Sequence, residues 1–141
     1  MGAGDHDTRS GGPARGPTDT VLMPAELRYL ELIRVVVEVS LSRSACDAGC
    51  LRDLQLATDE LAAVLIGAAC RPGELELAVT DDATDAYIRV LVPTPPDAGC
   101  PTIDPLSRLL LDTTVDSYVF DAENDQLLGV LQRTLLRDES R

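Results

Sequence analysis

The chain has 141 residues, 45% of them hydrophobic, and a mean hydropathy near zero, which suits one domain around a single core. A formal charge of −12 leaves no basic footprint for phosphate and argues against direct nucleic-acid binding. The longest apolar run, Leu61 to Cys70, is about half as long as a membrane span requires, so no membrane insertion is expected.

In chain order, "MGAGDHDTRSGGPARGP" is polar and rich in Gly and Pro, with no apolar stretch of the signal-peptide kind. It reads as a disordered tail over residues 1–17 ahead of one domain over 18–141, in a cytoplasmic protein. "TDTVLMP" suggests a short first strand. From Ala25 to about Leu41 the pattern is helical, with Leu30, Ile33, Val37 and Leu41 in one stripe. Further apolar residues leave only a narrow polar sector of Glu31, Arg34 and Glu38, so this helix is expected to bury more than one face. A second helix runs from about Cys50 to Cys70, with Leu54, Leu61, Leu65 and Ala68 as its core stripe, and "RPG" ends it. Ala63, Ile66 and Gly67 fall on its other side, where another helix or a partner could approach closely.

Two alternating runs, "ELELAVT" and "AYIRVLVP", read as a hairpin. One face holds Leu75, Leu77 and Val79 on the first run and Ile88, Val90 and Val92 on the second. "TPPDAGCPTIDP" has four prolines and must be a loop. "LSRLLLDTT" suggests a short helix, and the remainder a last hairpin turning near Glu123–Asp125. The order β-α-α-β-β-α-β-β implies an α/β two-layer sandwich, a mostly antiparallel mixed sheet with helices on one face.

Cysteines stand at 46, 50, 70 and 100. Cys46 and Cys50 are separated by three residues rather than the two of thioredoxin-like motifs, and the sole histidine, His6, lies in the tail. No metal site is expected; the thiols read as free in a reducing compartment, with a redox-sensitive Cys46–Cys50 pair as the alternative. All twelve basic residues are arginines, whose rigid guanidinium forks can anchor interfaces.

The string "LRDLQLATDELAAVLIGAA" followed by a hairpin resembles the Bergerat-type ATP-binding domain shared by histidine kinases, gyrase and some heat-shock chaperones. It is most similar to the branch of small serine-kinase anti-sigma factors, over roughly Val21 to Arg137. In that family the glutamate of "DE" acts as general base or positions the acceptor, and an asparagine four residues later holds Mg²⁺. Residues i and i+4 share a helix face, so both would reach the same phosphates.

Here Glu60 takes the glutamate position, but Val64 takes that of the asparagine and has no oxygen to offer a cation. The adenine-binding Asp-x-Gly box is matched only by Asp97, Ala98 and Gly99, late and among prolines. The phosphate-binding glycines give way to "GCPTIDPLSRLL", and proline has no N–H to donate. The resemblance therefore implies a degenerate member with no cofactor and no kinase activity, with Glu60 as the catalytic residue if activity survives.

What the resemblance leaves is binding. It implies a sigma factor and an anti-anti-sigma (STAS-domain) protein as partners, a homodimer, and a partner-binding set of Arg34, Leu30 and Arg28 on the first helix. Against this, Arg34 could form intrahelical pairs with Glu31 and Glu38, worth about 0.2–0.5 kcal/mol each. Glu60 could be a helix-flank carboxylate, and Asp59 is expected to be solvated. The expected function is a non-catalytic anti-sigma factor that releases its sigma factor on competitive binding. The alternatives are an active serine kinase of the same family, or a sensor using a vacated pocket or the cysteines.

Overall fold

A computed structural model of the chain describes residues 18–135. The expected tail 1–17, His6 and the end of the expected domain, 136–141, lie outside the described residues. Strand β1 spans Thr18–Pro24. A 3₁₀ turn, Leu27–Tyr29, leads into helix α1, Leu30–Ser40. The longest element is α2, Ala48–Ala68. Strands β2, Glu74–Asp81, and β3, Asp85–Pro93, precede α3, Pro105–Thr114, and the chain closes with β4, Ser117–Glu123, and β5, Gln126–Thr134.

The turns follow from local chemistry. Asp82 Oδ1 accepts from the N–H groups of Thr84 and Asp85, at 2.9 and 2.8 Å, and so closes the β2–β3 hairpin. Asn124 and Asp125, both with positive φ (55° and 60°), form the two-residue turn between β4 and β5, a geometry that matches strand twist. Asp47 caps α2 through the Cys50 N–H at 2.8 Å, and Asp104 caps α3 through the Ser107 N–H at 2.8 Å, with Pro105 in the first turn.

The strands lie in the order β1-β2-β3-β5-β4, and every hydrogen-bonded pair is antiparallel. The expected mixed sheet is thus corrected. The strands β3 and β4, joined through α3, run in the same direction, but β5 returns between them and removes the parallel contact. One face of the sheet presents Leu75, Leu77, Ile88, Val90, Val92, Leu127 and Leu131 to the helices, all fully buried. Ile33 and Val37 of α1, and Leu54, Leu61 and Leu65 of α2, fill the other side of this core.

Two expectations for the helices change. Ile66 is fully buried in the core and not on a free side of α2. On α1, Leu32, Val35 and Val39 are 41%, 50% and 62% exposed, so among the described residues nothing buries a second face of this helix. The centre of α2 sits close to the sheet because β5 carries Gly129 there: a Cβ at that position would lie 2.8 Å from Leu61 Cδ1.

Candidate functional site

The helix α2 lies between α1 and α3, and consecutive residues on a helix point about 100° apart. Asp59 and Glu60 therefore address different neighbours. Asp59 reaches α1, where Arg34 Nε donates to its Oδ2 at 2.7 Å. Gln55, one turn earlier, donates from Nε2 to the Arg34 carbonyl at 3.0 Å, so two residues of α2 fix this stretch of α1. The expectations for both partners are corrected: Asp59 is not simply solvated, and the ion pair of Arg34 runs across helices rather than to Glu31 or Glu38. Burial of the Asp59 carboxylate raises its pKa; Arg34 opposes that rise without cancelling it. Asp59 Oδ1 is buried without a hydrogen-bond partner among the described residues.

Glu60 points the other way, to α3, and accepts a short hydrogen bond from the Ser107 hydroxyl. Ser107 sits in the first turn of α3, nearly buried, with its own N–H held by Asp104. The glutamate expected to flank the helix is thus tied to a neighbouring helix. Val64, four residues on, is half-buried and packs against the core, so the position of a magnesium ligand is an apolar contact.

Asp97, Ala98 and Gly99 form an exposed turn, with positive φ at Asp97 and Gly99. With Asn124 and Asp125 they line a concavity of about 350 Å³ between the β3–α3 loop and the β4–β5 turn. No residue of α2 lines it, so the weak adenine box and Glu60 do not meet in one cavity.

Of the expected partner-binding residues, Arg34 stands on the outer face of α1 with its side chain half exposed. Leu30 opens α1, half-buried against the core. Arg28 lies in the 3₁₀ turn, exposed, paired with Glu26 at 2.8 Å and 5.4 Å above the Tyr29 ring. Exposed Leu32 and Val35 flank Arg34 in sequence.

Two functional contacts escape sequence reasoning. "DPLS" does signal a capped helix start, which places Ser107 in a first turn, but not what its hydroxyl faces. Arg133 of β5 is nearly buried and bridges Asp53 of α2 at 2.7 Å and the Thr114 carbonyl of α3 at 2.6 Å, tying three elements together. The Asp53 pairing joins residues 80 apart in the chain. Among the described residues no group of three or more His, Cys, Asp or Glu could hold a metal, and no helix is long and apolar enough to cross a membrane.

No family model and no curated protein matches the chain. Solved structures do match its fold. A crystal structure of the RsbU and RsbW domains of Rv1364c from Mycobacterium tuberculosis superposes with a TM-score of 0.65 at 12% sequence identity. The match covers 86% of this chain and 33% of that one, so the present chain spans about a third of its neighbour. The α/β two-layer architecture expected from the sequence is the architecture observed, and it is similar to that of a structure containing an RsbW domain.

Proposed function

We propose that the chain is a cytoplasmic anti-sigma factor that captures an alternative sigma factor through the outer face of α1 and acts without ATP or phosphate transfer. The observation that carries this reading is the α1 face itself. The Arg34 side chain is held in one orientation by Asp59, Gln55 ties down its backbone carbonyl, and elsewhere on the outer surface of the same helix Leu32 and Val35 remain exposed, so α1 offers an oriented cation and apolar side chains. Buried aromatic or arginine anchors ringed by apolar contacts are the usual centre of a binding interface. The fold likeness to a structure with an RsbW domain, and the resemblance carried by "ATDELAAVL", support the class of partner. An anti-anti-sigma protein of the STAS type competes for the same general surface and releases the sigma factor. Two copies of the chain pair in solution; a monomer mass by light scattering at micromolar concentration would end that part of the proposal.

The absence of kinase chemistry is supported by three features. Val64 offers no metal ligand, Glu60 is engaged by Ser107, and prolines stand where backbone N–H donors are needed. Calorimetric titration with ATP·Mg²⁺ is expected to give no heat, while pull-down recovers a sigma factor. Arg34→Ala is expected to weaken capture about 30-fold, the ~2 kcal/mol of an arginine hot spot. Because it also unpairs Asp59, the control is Asp59→Asn, which leaves the guanidinium in place and should cost much less. Equal losses in the two variants would refute a direct contact.

The alternative reading is a serine kinase in which Glu60, released from the Ser107 hydroxyl, serves as general base for a partner's serine. Transfer from labelled ATP to a partner, abolished by Glu60→Gln, would establish that reading.

A further inference from the structure

The concavity between the β3–α3 loop and the β4–β5 turn has no part in the proposed function. Its volume of about 350 Å³ is that of a small-ligand site. Positive φ at Asp97 and Gly99 bends one wall and at Asn124 and Asp125 the other, and the Thr94 N–H joins the two by donating to the Asp125 carbonyl at 2.8 Å. Thr94 lines the concavity and is only 6% exposed, yet its hydroxyl makes no hydrogen bond among the described residues. Among these residues Asp59 Oδ1 is the only unpaired side-chain oxygen or nitrogen sealed from solvent, so the unpaired Thr94 hydroxyl keeps an opening to the concavity that it lines. A hydroxyl on so buried a side chain ordinarily has a partner, and here the partner has to come from the concavity.

Charge decides what that partner is. Asp97, Glu123 and Asp125 belong to the lining, which contains no cationic residue, and none of the three joins an ion pair among the described residues. Such a lining repels a phosphate and attracts a cation. The carboxylates do not converge on a point, because no group of three His, Cys, Asp or Glu among the described residues could share a metal ion. The cation that matches them therefore carries several charges spaced along a chain. Pro95, Ala98 and Ala122 give the same lining an apolar part, against which the methylenes of such a chain can lie.

We propose that this concavity binds an aliphatic polyamine, its ammonium groups paired with Asp97, Glu123 and Asp125 and one of them donating to the Thr94 hydroxyl oxygen. An adjoining concavity of about 260 Å³ shares Glu123, Asn124 and Gln126 but also contains Arg89, whose charge keeps the ligand on the Thr94 side of the β4–β5 turn. The site is separate from the α1 face, so it does not depend on capture of a sigma factor.

The test is calorimetric titration of the full chain with spermidine, and separately with putrescine and magnesium chloride, at one fixed ionic strength. Spermidine should saturate at one molecule per chain, putrescine should bind more weakly for want of a third charge, and magnesium should give no saturable heat. In the wild-type chain, the amide NMR shifts caused by spermidine should be confined to residues 94–99 and 122–126. Thr94→Val, which keeps the side-chain volume, should weaken binding about tenfold. Asp97→Asn and Glu123→Gln should each weaken it about threefold, and Asp19→Asn on the exposed start of β1 should leave it unchanged. Saturation by magnesium at the same concentration, or shifts spread equally over Asp81, Asp82 and Asp85, would mean that spermidine only screens an acidic surface and would overturn the site. That readout needs no variant. Undiminished binding by Thr94→Val would overturn the role of the hydroxyl.

Discussion

The seat of α2 on the sheet fixes where Asp59 and Glu60 meet their partners, and Gly129 is the position at which it can be tested. In Gly129→Ala the new Cβ would lie 2.8 Å from Leu61 Cδ1, closer than real contacts allow, and 3.0 Å from its Cγ, tighter than nearly all of them. Leu61 is fully buried, so its side chain has no free space into which to turn. Overpacking of this kind costs about 1–3 kcal/mol. The loss of glycine freedom in the unfolded chain returns about 0.4–1 kcal/mol, leaving a net destabilisation of roughly 1–2 kcal/mol. Leu61→Ala alone should cost about 3–5 kcal/mol through the cavity it opens. In that background the alanine at 129 meets no clash, and the same substitution should stabilise by about 0.4–1 kcal/mol. The sign of the effect therefore reverses, a coupling of roughly 1.5–3 kcal/mol between residues in contact. Urea unfolding of the four chains measures it, as midpoint shifts at constant slope. An equal shift in both backgrounds, or a more stable Gly129→Ala single variant, would refute the close approach of helix and sheet.

Three further outcomes follow from the site. The folded Asp59 carboxyl titrates above its ordinary value of 3.8, so the folded chain holds this proton more firmly than the unfolded one. Stability from that proton is present below 3.8 and is lost as pH rises through the raised value; urea midpoints of Asp59→Asn should fall less than wild type just above pH 3.8, and parallel curves would contradict this. Ser107→Ala removes the donor to Glu60 and should lower stability by about 1–3 kcal/mol, read from urea unfolding; an unchanged midpoint would mean that the contact adds nothing. Val64→Asn restores an amide oxygen at the position of a metal ligand, yet should still give no heat with ATP·Mg²⁺. The phosphate-binding glycines remain absent and Glu60 remains bound to Ser107, so measurable ATP affinity in this variant would show that one residue alone had closed the pocket.

The sequence by itself determined the kind and order of the helices and strands, though not the 3₁₀ turn Leu27–Tyr29 where the first helix was expected, because the forces that set an element act over a few residues. The stripe Ile33, Val37 and Leu41, the alternation through Leu75 to Val92, and the caps Asp47 and Asp104 all lie within one helix, hairpin or turn. The neighbours of the elements were decided only in three dimensions. The return of β5 between β3 and β4 made the sheet wholly antiparallel, and periodicity carries no record of strand order. The pair Asp59-Glu60 shows the same division. Its place on a helix is legible, but its partners Arg34 and Ser107 lie 25 and 47 residues from their carboxylates. A step of about 100° sends adjacent side chains towards different helices, and only the packing of α1 and α3 on either side of α2 decides what each one meets.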